Sequence, residues 1–416
     1  MNRRQALRRL PGAAALFGVP AQAAAVDTRP LPDDGLLARN PERYWDRVRA
    51  EQFYLPDGRA FLNNGSLGVA PKPVLRAVVS YLERSAALRM DEYPRWGYET
   101  LDEYRTELAG AFGCTKDELA LTHSATEAMS IIAGGMPLRP GDEVLLTDQE
   151  HPSGRCPWLL KQAREGIQVR EVRIPLPPPR PEELTDLVVS AIGPRTRVVS
   201  FSGILSPTGL VMPIRAICDA ARSKGAISVV DGAHMNGQIA FRIDDLGCDY
   251  FAGSPHKWLF APAGCGILYV REERLDKHFP IIATSQFDDH ALKAARFMRV
   301  GTNNRAIFEG FLAGLRFAQA LGPERIHQRI HHLARETRRR AQASPHTELL
   351  TPEDESQYGA LVAFRLKLNN PQRLWELCRQ RRIWTTEGNP LRVSTHIHTR
   401  PADLDLFFET LEQAAA

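Results

Sequence analysis

Two apolar runs in the middle of the chain end in residues that can do chemistry. Residues 226–230 lead into Asp231-Gly232-Ala233-His234, and 250–253 lead into Ser254-Pro255-His256-Lys257-Trp258. A carboxylate and a primary amine thus leave two strand ends separated by roughly one strand–helix unit. In open α/β sheets ligands bind beyond the carboxyl ends of the strands. A lysine emerging there among His, Pro and Trp is part-desolvated, which lowers its pKa and makes the neutral, nucleophilic amine accessible. Pyridoxal 5′-phosphate is a cofactor that needs both groups. The amine forms a Schiff base with it, and the carboxylate keeps its ring nitrogen protonated so that the ring works as an electron sink. Taken singly, Lys257 reads as a surface lysine and Asp231 as a turn residue; their joint context points to the cofactor.

The elements needed to position them are visible in the pattern. Short apolar runs at 143–147, 169–174, 197–202, 226–230, 250–253 and 266–270 are interleaved with helix-length amphipathic segments such as 181–192 and 214–224. This alternation predicts an α/β fold with a doubly wound, mostly parallel sheet and helices on both faces. A glycine-rich turn, Asn63-Asn64-Gly65-Ser66-Leu67-Gly68, precedes a further helical pattern at 73–89. Ser124-Ala125-Thr126-Glu127 follows the apolar run 119–121 and opens another helix. Backbone N–H groups and the Thr126 hydroxyl at a helix N-terminus suit an anion, although the same residues also read as an ordinary cap. The proline-rich 175–181 is a stiff surface connection. Beyond it, 322–340 has the look of a basic, solvated helix face, 360–368 and 391–394 of strands, and 371–381 of a helix. The predicted organisation is a leader (1–25), an N-terminal segment (26–61), a large domain (62–304) and a smaller α+β C-terminal domain (305–416).

The leader holds Arg3, Arg4, Arg8 and Arg9, no acid, an apolar run at 10–19 and then Ala21-Gln22-Ala23-Ala24-Ala25. This is the pattern of a bacterial signal peptide with a small-residue cleavage site, and Arg3-Arg4 is a twin-arginine address for export of folded proteins. The plainer reading is an amphipathic or disordered arm. The apolar run is too short to span a bilayer, so the expectation is a periplasmic protein without a stable membrane anchor, exported by the twin-arginine machinery. The chain has 53 Lys+Arg against 49 Asp+Glu, and the excess equals the leader's arginines. A neutral body offers no electrostatic reason to bind nucleic acid. At 43% hydrophobic and 25% charged residues, the composition is that of a globular protein rather than a disordered one. The six cysteines are too few for a disulfide scaffold and include no C-x-x-C.

The Asp231–His234 and Ser254–Trp258 segments together resemble the class V aminotransferase group of fold-type I pyridoxal-phosphate enzymes, which includes cysteine desulfurases, kynureninase and isopenicillin-N epimerase. The resemblance runs from about Leu62 to the C-terminus, and Asn64–Gly68 with Ser206-Pro207-Thr208-Gly209 looks most like the epimerase-like branch. It implies the large and small domains of PLP fold type I. It implies that Lys257 carries the cofactor and shuttles a proton at the substrate Cα, that Asp231 pairs with the ring nitrogen, and that His151 stacks on the ring. His234 would lie near the cofactor, and Ser206 falls where several relatives have an asparagine for the phenolic oxygen, which leaves that contact open. Ala125, Thr126, Ser254 and His256 would cradle the phosphate. Gly301-Thr302 resembles a turn that reaches the phosphate of a second subunit, implying a homodimer. Arg392, with Asn64 nearby, would bind the carboxylate of an amino-acid-type substrate.

Fold and cofactor do not settle the reaction. The sole cysteine after Gly266 is Cys378, within a helical pattern, where a buried structural thiol is the default; transfer of sulfur through a protein persulfide is therefore rejected. Aminotransfer, epimerisation, and C–S or C–C lysis remain, with aminotransferase-type chemistry the expectation. Relatives with an export signal include periplasmic enzymes that tailor a peptide siderophore of the pyoverdine type. Two non-enzymatic alternatives stand beside this: a binding protein that retains the cofactor, and a metal-binding periplasmic protein using His396-x-His398 and His331-His332. Tyr93, Arg95 and Trp96 lie in a segment suited to a substrate entrance or to a packed loop.

Overall fold

Strand β1 (Ala60–Phe61) precedes the strands of the main sheet: β2 (Leu119–Thr122), β3 (Glu143–Thr147), β4 (Gln168–Val172), β5 (Thr196–Ser202), β6 (Ile227–Gly232), β7 (Tyr250–Gly253) and β8 (Gly266–Val270). The structure is a computed structural model that describes residues 30–87 and 99–416; the leader and Tyr93, Arg95 and Trp96 lie outside the described residues. The sheet order is β2-β8-β7-β6-β5-β3-β4. Strands β3 to β7 pair in parallel, and β8 alone runs against its neighbours β7 and β2. All residues of β2, β3, β7 and β8 are buried. Helices cover both faces of such a sheet, which is why its strands read as continuous apolar runs instead of alternating ones. The reversal of β8 leaves no mark in its run Gly-Ile-Leu-Tyr-Val, since a fully buried strand looks the same in either direction.

Parallel pairing aligns the carboxyl ends of β3, β5, β6 and β7 along one edge. Ser202 is the register partner of Asp231, and Asp231 of Ala252. Because β2 is antiparallel to the reversed β8, its own carboxyl end reaches the same edge, and the helix Ala125–Gly135 starts there.

The smaller unit carries an antiparallel sheet of β9 (Thr347–Leu349), β10 (Leu361–Leu366) and β12 (Leu391–Ser394), while β11 (Ile383–Trp384) pairs in parallel with β1. Its apolar cluster joins Ala60 and Leu62 to Leu333, Phe364, Leu374 and Phe407. Past residue 305 the chain still contributes to the main core. Helix Ala306–Leu321 packs Phe308, Phe311 and Leu315 into the main core, and helix Pro323–Ala343 begins there with Ile326 and Ile330 before passing Leu333 and Ala334 to the second cluster. An apolar stripe shows that a helix is buried, not which core receives it. The basic helix is solvated on one face only; Arg329 is buried and bonded to the Glu42 carboxylate and the Thr399 carbonyl. The C-terminal helix Pro401–Ala415, which buries Leu404, Phe407 and Leu411, went unread in the sequence. Among the described residues no helix is long and apolar enough to cross a membrane.

Candidate active site

Lys257 sits in the short helix Pro255–Trp258 that follows β7. Its Nζ lies 3.3 Å from His234 Nε2, and the neighbouring Trp258 Nε1–H donates to His234 Nδ1 at 3.3 Å. A neutral imidazole that accepts at Nδ1 carries its proton on Nε2. His234 therefore donates to Lys257, and the lysine receives that bond as a neutral amine. Both groups are tuned for this. Burial, reinforced by the nearby Lys257, holds His234 well below the usual histidine range. Burial likewise lowers Lys257 to about 8, with Asp231 opposing the shift and Arg392 adding to it. An amine so placed is a usable nucleophile and base near neutral pH.

Asp231 closes β6. Its Oδ1 accepts from the Ala233 N–H at 3.0 Å. Burial raises its pKa, while Ala233, Lys257 and His151 favour the ionised form. Lysine and aspartate border one cavity of about 230 Å³, along with Ala125, Thr126, His151, Ser206, His234, Ser254, His256 and Arg392. These side chains come from distant parts of the chain, and the shared sheet edge brings them together.

One end of this cavity is built for an anion. Ser124 caps the helix Ala125–Gly135 by accepting from the Glu127 N–H, and the Ala125 N–H donates to Ser254 Oγ at 3.0 Å. His256 Nδ1–H donates to the Cys265 carbonyl at 2.7 Å, which leaves Nε2 for a ligand. Helix-terminal N–H groups beside hydroxyls and an imidazole suit a phosphate.

The other end is cationic. Arg392 reaches in from β12 of the small unit, donating to Ser206 Oγ (2.5 Å), the Ser206 carbonyl (3.3 Å) and Ser66 Oγ (3.0 Å). Its Nε is buried without a partner, and burial lowers its pKa to about 10. A desolvated guanidinium facing only neutral groups is a receptor for a carboxylate. Ser206, expected near a phenolic oxygen, holds this arginine. His151 caps the helix Pro152–Glu165, its Nδ1 accepting from the Ser153 N–H at 3.1 Å. Burial and Lys257 lower its pKa.

One expected contact is placed elsewhere. Asn64 does not border the cavity: its Nδ2 donates to the Lys257 carbonyl at 2.7 Å, and its Oδ1 faces His398 Nε2 at 3.4 Å. It supports the lysine's backbone, and its neighbours Gly65 and Ser66 line the cavity instead. At Gly68 a Cβ would lie 2.2 Å from the Lys257 carbonyl oxygen, so this turn can approach the lysine only as glycine. Thr302, expected at the site of a second subunit, is exposed on this chain; the next residue, Asn303, bonds His123 Nε2 at 2.7 Å. His396 and His398 are buried, stacked 5.6 Å apart, with His396 Nε2 on the Trp258 carbonyl, and His331 packs on Tyr358. No group of three or more metal-ligating side chains occurs among the described residues. Glu150, Ser153 and Ser202 escaped the sequence reading. Ser202 and Glu150 follow strand ends in the chain, the same signal that identified Asp231.

A family model described as aminotransferase class-V matches residues 61–400. The chain is 32% identical to isopenicillin N epimerase of Streptomyces clavuligerus, over 88% of this chain and 98% of that protein. It is also 30% identical to a probable cysteine desulfurase of Methanothermobacter thermautotrophicus, over 64% of this chain and 68% of that one. The fold matches that of the cysteine desulfurase from Thermococcus onnurineus NA1 (TM-score 0.77, 21% identity, 88% and 97% of the two chains). It matches equally a C-DES mutant with glycine covalently linked to its PLP cofactor (TM-score 0.77, 23% identity, 89% and 99%).

Proposed function

This chain belongs to the class V aminotransferase family of pyridoxal 5′-phosphate enzymes, and from that premise we propose that it transfers the amino group of an amino-acid-type substrate. The residues present fit the cofactor: Lys257 would hold it covalently and Asp231 would face its ring nitrogen. The N–H groups opening helix Ala125–Gly135, with Ser254 and His256, would take its phosphate. When bound, the cofactor supplies an electron sink for the charge left at the substrate Cα. The protein's own groups do the rest. Arg392 grips the carboxylate and orients the substrate, and Lys257, its neutral form made accessible by burial and by His234, takes the proton from Cα and returns it.

A single observation carries this reading: a part-buried guanidinium without a counter-ion and a part-buried amine with its pKa lowered to about 8 border the same small cavity. A second reading, epimerisation at Cα, is favoured by the near-full-length similarity to isopenicillin N epimerases and by His151, a second proton carrier in the cavity. Lysis of a C–S or C–C bond uses the same groups. None of the cysteines borders the cavity, and burial pushes the Cys378 thiol up to about 12, which speaks against a cysteine persulfide route.

The proposal extends to location and assembly. The arginine pair and apolar run of residues 1–25 support twin-arginine export to the periplasm, and so a substrate outside central metabolism, such as the amino-acid part of an exported peptide siderophore. Phe279, Ile281, Ile282 and Phe287, exposed within one short stretch of the chain, supply apolar surface suited to the second subunit of a homodimer. Purified, cofactor-loaded protein incubated with candidate amino acids in deuterated water tests the chemistry. Conversion of the cofactor to its pyridoxamine form supports transamination, and deuterium at Cα without that conversion supports epimerisation. Neither change with any amino-carboxylate would overturn both.

A further inference from the structure

A second carboxyl lies behind Asp231, in the loop between β3 and the helix Pro152–Glu165. Glu150 Oε1 accepts from Thr147 Oγ1 at 2.5 Å and Oε2 from Ser202 Oγ at 2.6 Å. Thr147 ends β3 and Ser202 ends β5, so the carboxyl is clamped between two strand ends. Ser202 is in turn the register partner of Asp231. The first turn of the helix passes between the two acids at Gly154. A Cβ there would lie 2.9 Å from Asp231 Oδ2 and 3.8 Å from Glu150 Oε2. Both carboxyls border the same gap, which a larger residue would fill. Each carboxyl oxygen accepts from a hydroxyl, with the Ser202 N–H as a further donor; an amide would turn its NH2 towards one of these donors, so the clamp suits a carboxylate and holds its charge at this edge.

We propose that Glu150 is a positioning residue that places a second negative charge behind Asp231 and strengthens its hold on the proton of the cofactor's ring nitrogen. The proposal rests on the cofactor assignment and is independent of which reaction follows. Burial, reinforced by Asp231, raises Glu150 to about 7, against the two hydroxyl bonds and the Ser202 N–H, which favour its charge. Asp231 faces Glu150 from β6, while Lys257 and His151 face Asp231; Thr147 and Ser202 contribute neutral donors. Below about pH 7 Glu150 is neutral and its influence is weak; above it the dyad carries the additional charge.

The test is a pH titration of the near-visible absorption of the cofactor-loaded protein, with cofactor affinity measured by equilibrium dialysis. Glu150→Gln should lower the titration midpoint by about half a unit or more and weaken cofactor binding above neutral pH but not well below it. Glu150→Asp, which keeps the charge, should stay near the unmodified protein. If Glu150→Gln titrates and binds cofactor like the unmodified protein at both pH values, Glu150 is a packing residue and the proposal falls. Should that variant fail to fold, Thr147→Val removes one donor to the carboxylate, raises its pKa and so lowers its ionisation near neutral pH, and should move the midpoint in the same direction; an unmoved midpoint overturns the proposal. Failure of the unmodified protein to bind the cofactor would refute the cofactor assignment instead.

Discussion

Trp258 Nε1–H donates to His234 Nδ1 at 3.3 Å, and through this bond the indole decides what the adjacent lysine receives. With Nδ1 occupied, the imidazole directs its Nε2–H to Lys257 Nζ, a bond available only to the unprotonated amine. His234→Leu removes that donor and leaves the neutral amine less favoured, so the Lys257 pKa should rise. Cofactor attachment should then need a higher pH, by about one unit. The pH dependence of the loading rate, followed by absorbance, checks this; an unchanged profile would show that burial alone tunes the lysine.

Lys257 also leaves a signature on stability. Its pKa in the folded protein, about 8, lies below the usual lysine value of 10.5. Between these values the unfolded chain binds more protons, so stability rises with pH. Below about 8 the lysine is charged in both states and the fold bears the whole cost of burying it. Cofactor-free Lys257→Met should therefore melt higher than the unmodified protein below pH 8, and the gap should close as pH rises towards 10.5. Melting curves across that window check it. The same variant should lose at least about 10²-fold in turnover.

Arg392 is held by neutral oxygens from Ser206 and Ser66. Arg392→Gln should cost about 2 kcal/mol of substrate binding, the worth of a hydrogen-bonded charge, seen as a raised KM or weaker product inhibition. It should not lower the melting temperature of the substrate-free protein, because a buried charge without a counter-ion is removed. A large loss of stability with no change in KM would count against the carboxylate role.

Asn64 offers the opposite outcome. Its amide is committed to the Lys257 carbonyl and to His398. Asn64→Ala should destabilise the fold by about 1–3 kcal/mol and slow turnover through a displaced lysine, while leaving KM for the amino acid nearly unchanged. Denaturant melts alongside steady-state kinetics separate the two effects.

Much of the site was legible because strand ends announce it. Asp231 and Lys257 each follow a short apolar run, and such runs in an α/β protein end at the edge where ligands bind. The predicted strands and helices of the large unit lie within a few residues of those observed. Asn64 shows the limit: its turn does approach the lysine, but residue type alone does not say whether an amide faces a ligand or a carbonyl. Ser206 is a similar case, since a hydroxyl beside an arginine 186 positions away in the chain has no local trace.

The amino-acid sequence by itself determined the alternation of strands and helices and the pairing of a strand-end carboxylate with a strand-end amine, and the resemblance of those two segments pointed to the family. The alternation and the pairing follow from periodicity and side-chain chemistry, which are local. Only the tertiary structure decided that β8 runs backwards, that helix Ala306–Leu321 belongs to the main core, that Arg392 crosses from the small unit to meet Ser206, and that Glu150 stands behind Asp231. Those relations depend on which surfaces meet and how far water is excluded between them, and desolvation of that kind is a property of the packed chain as a whole.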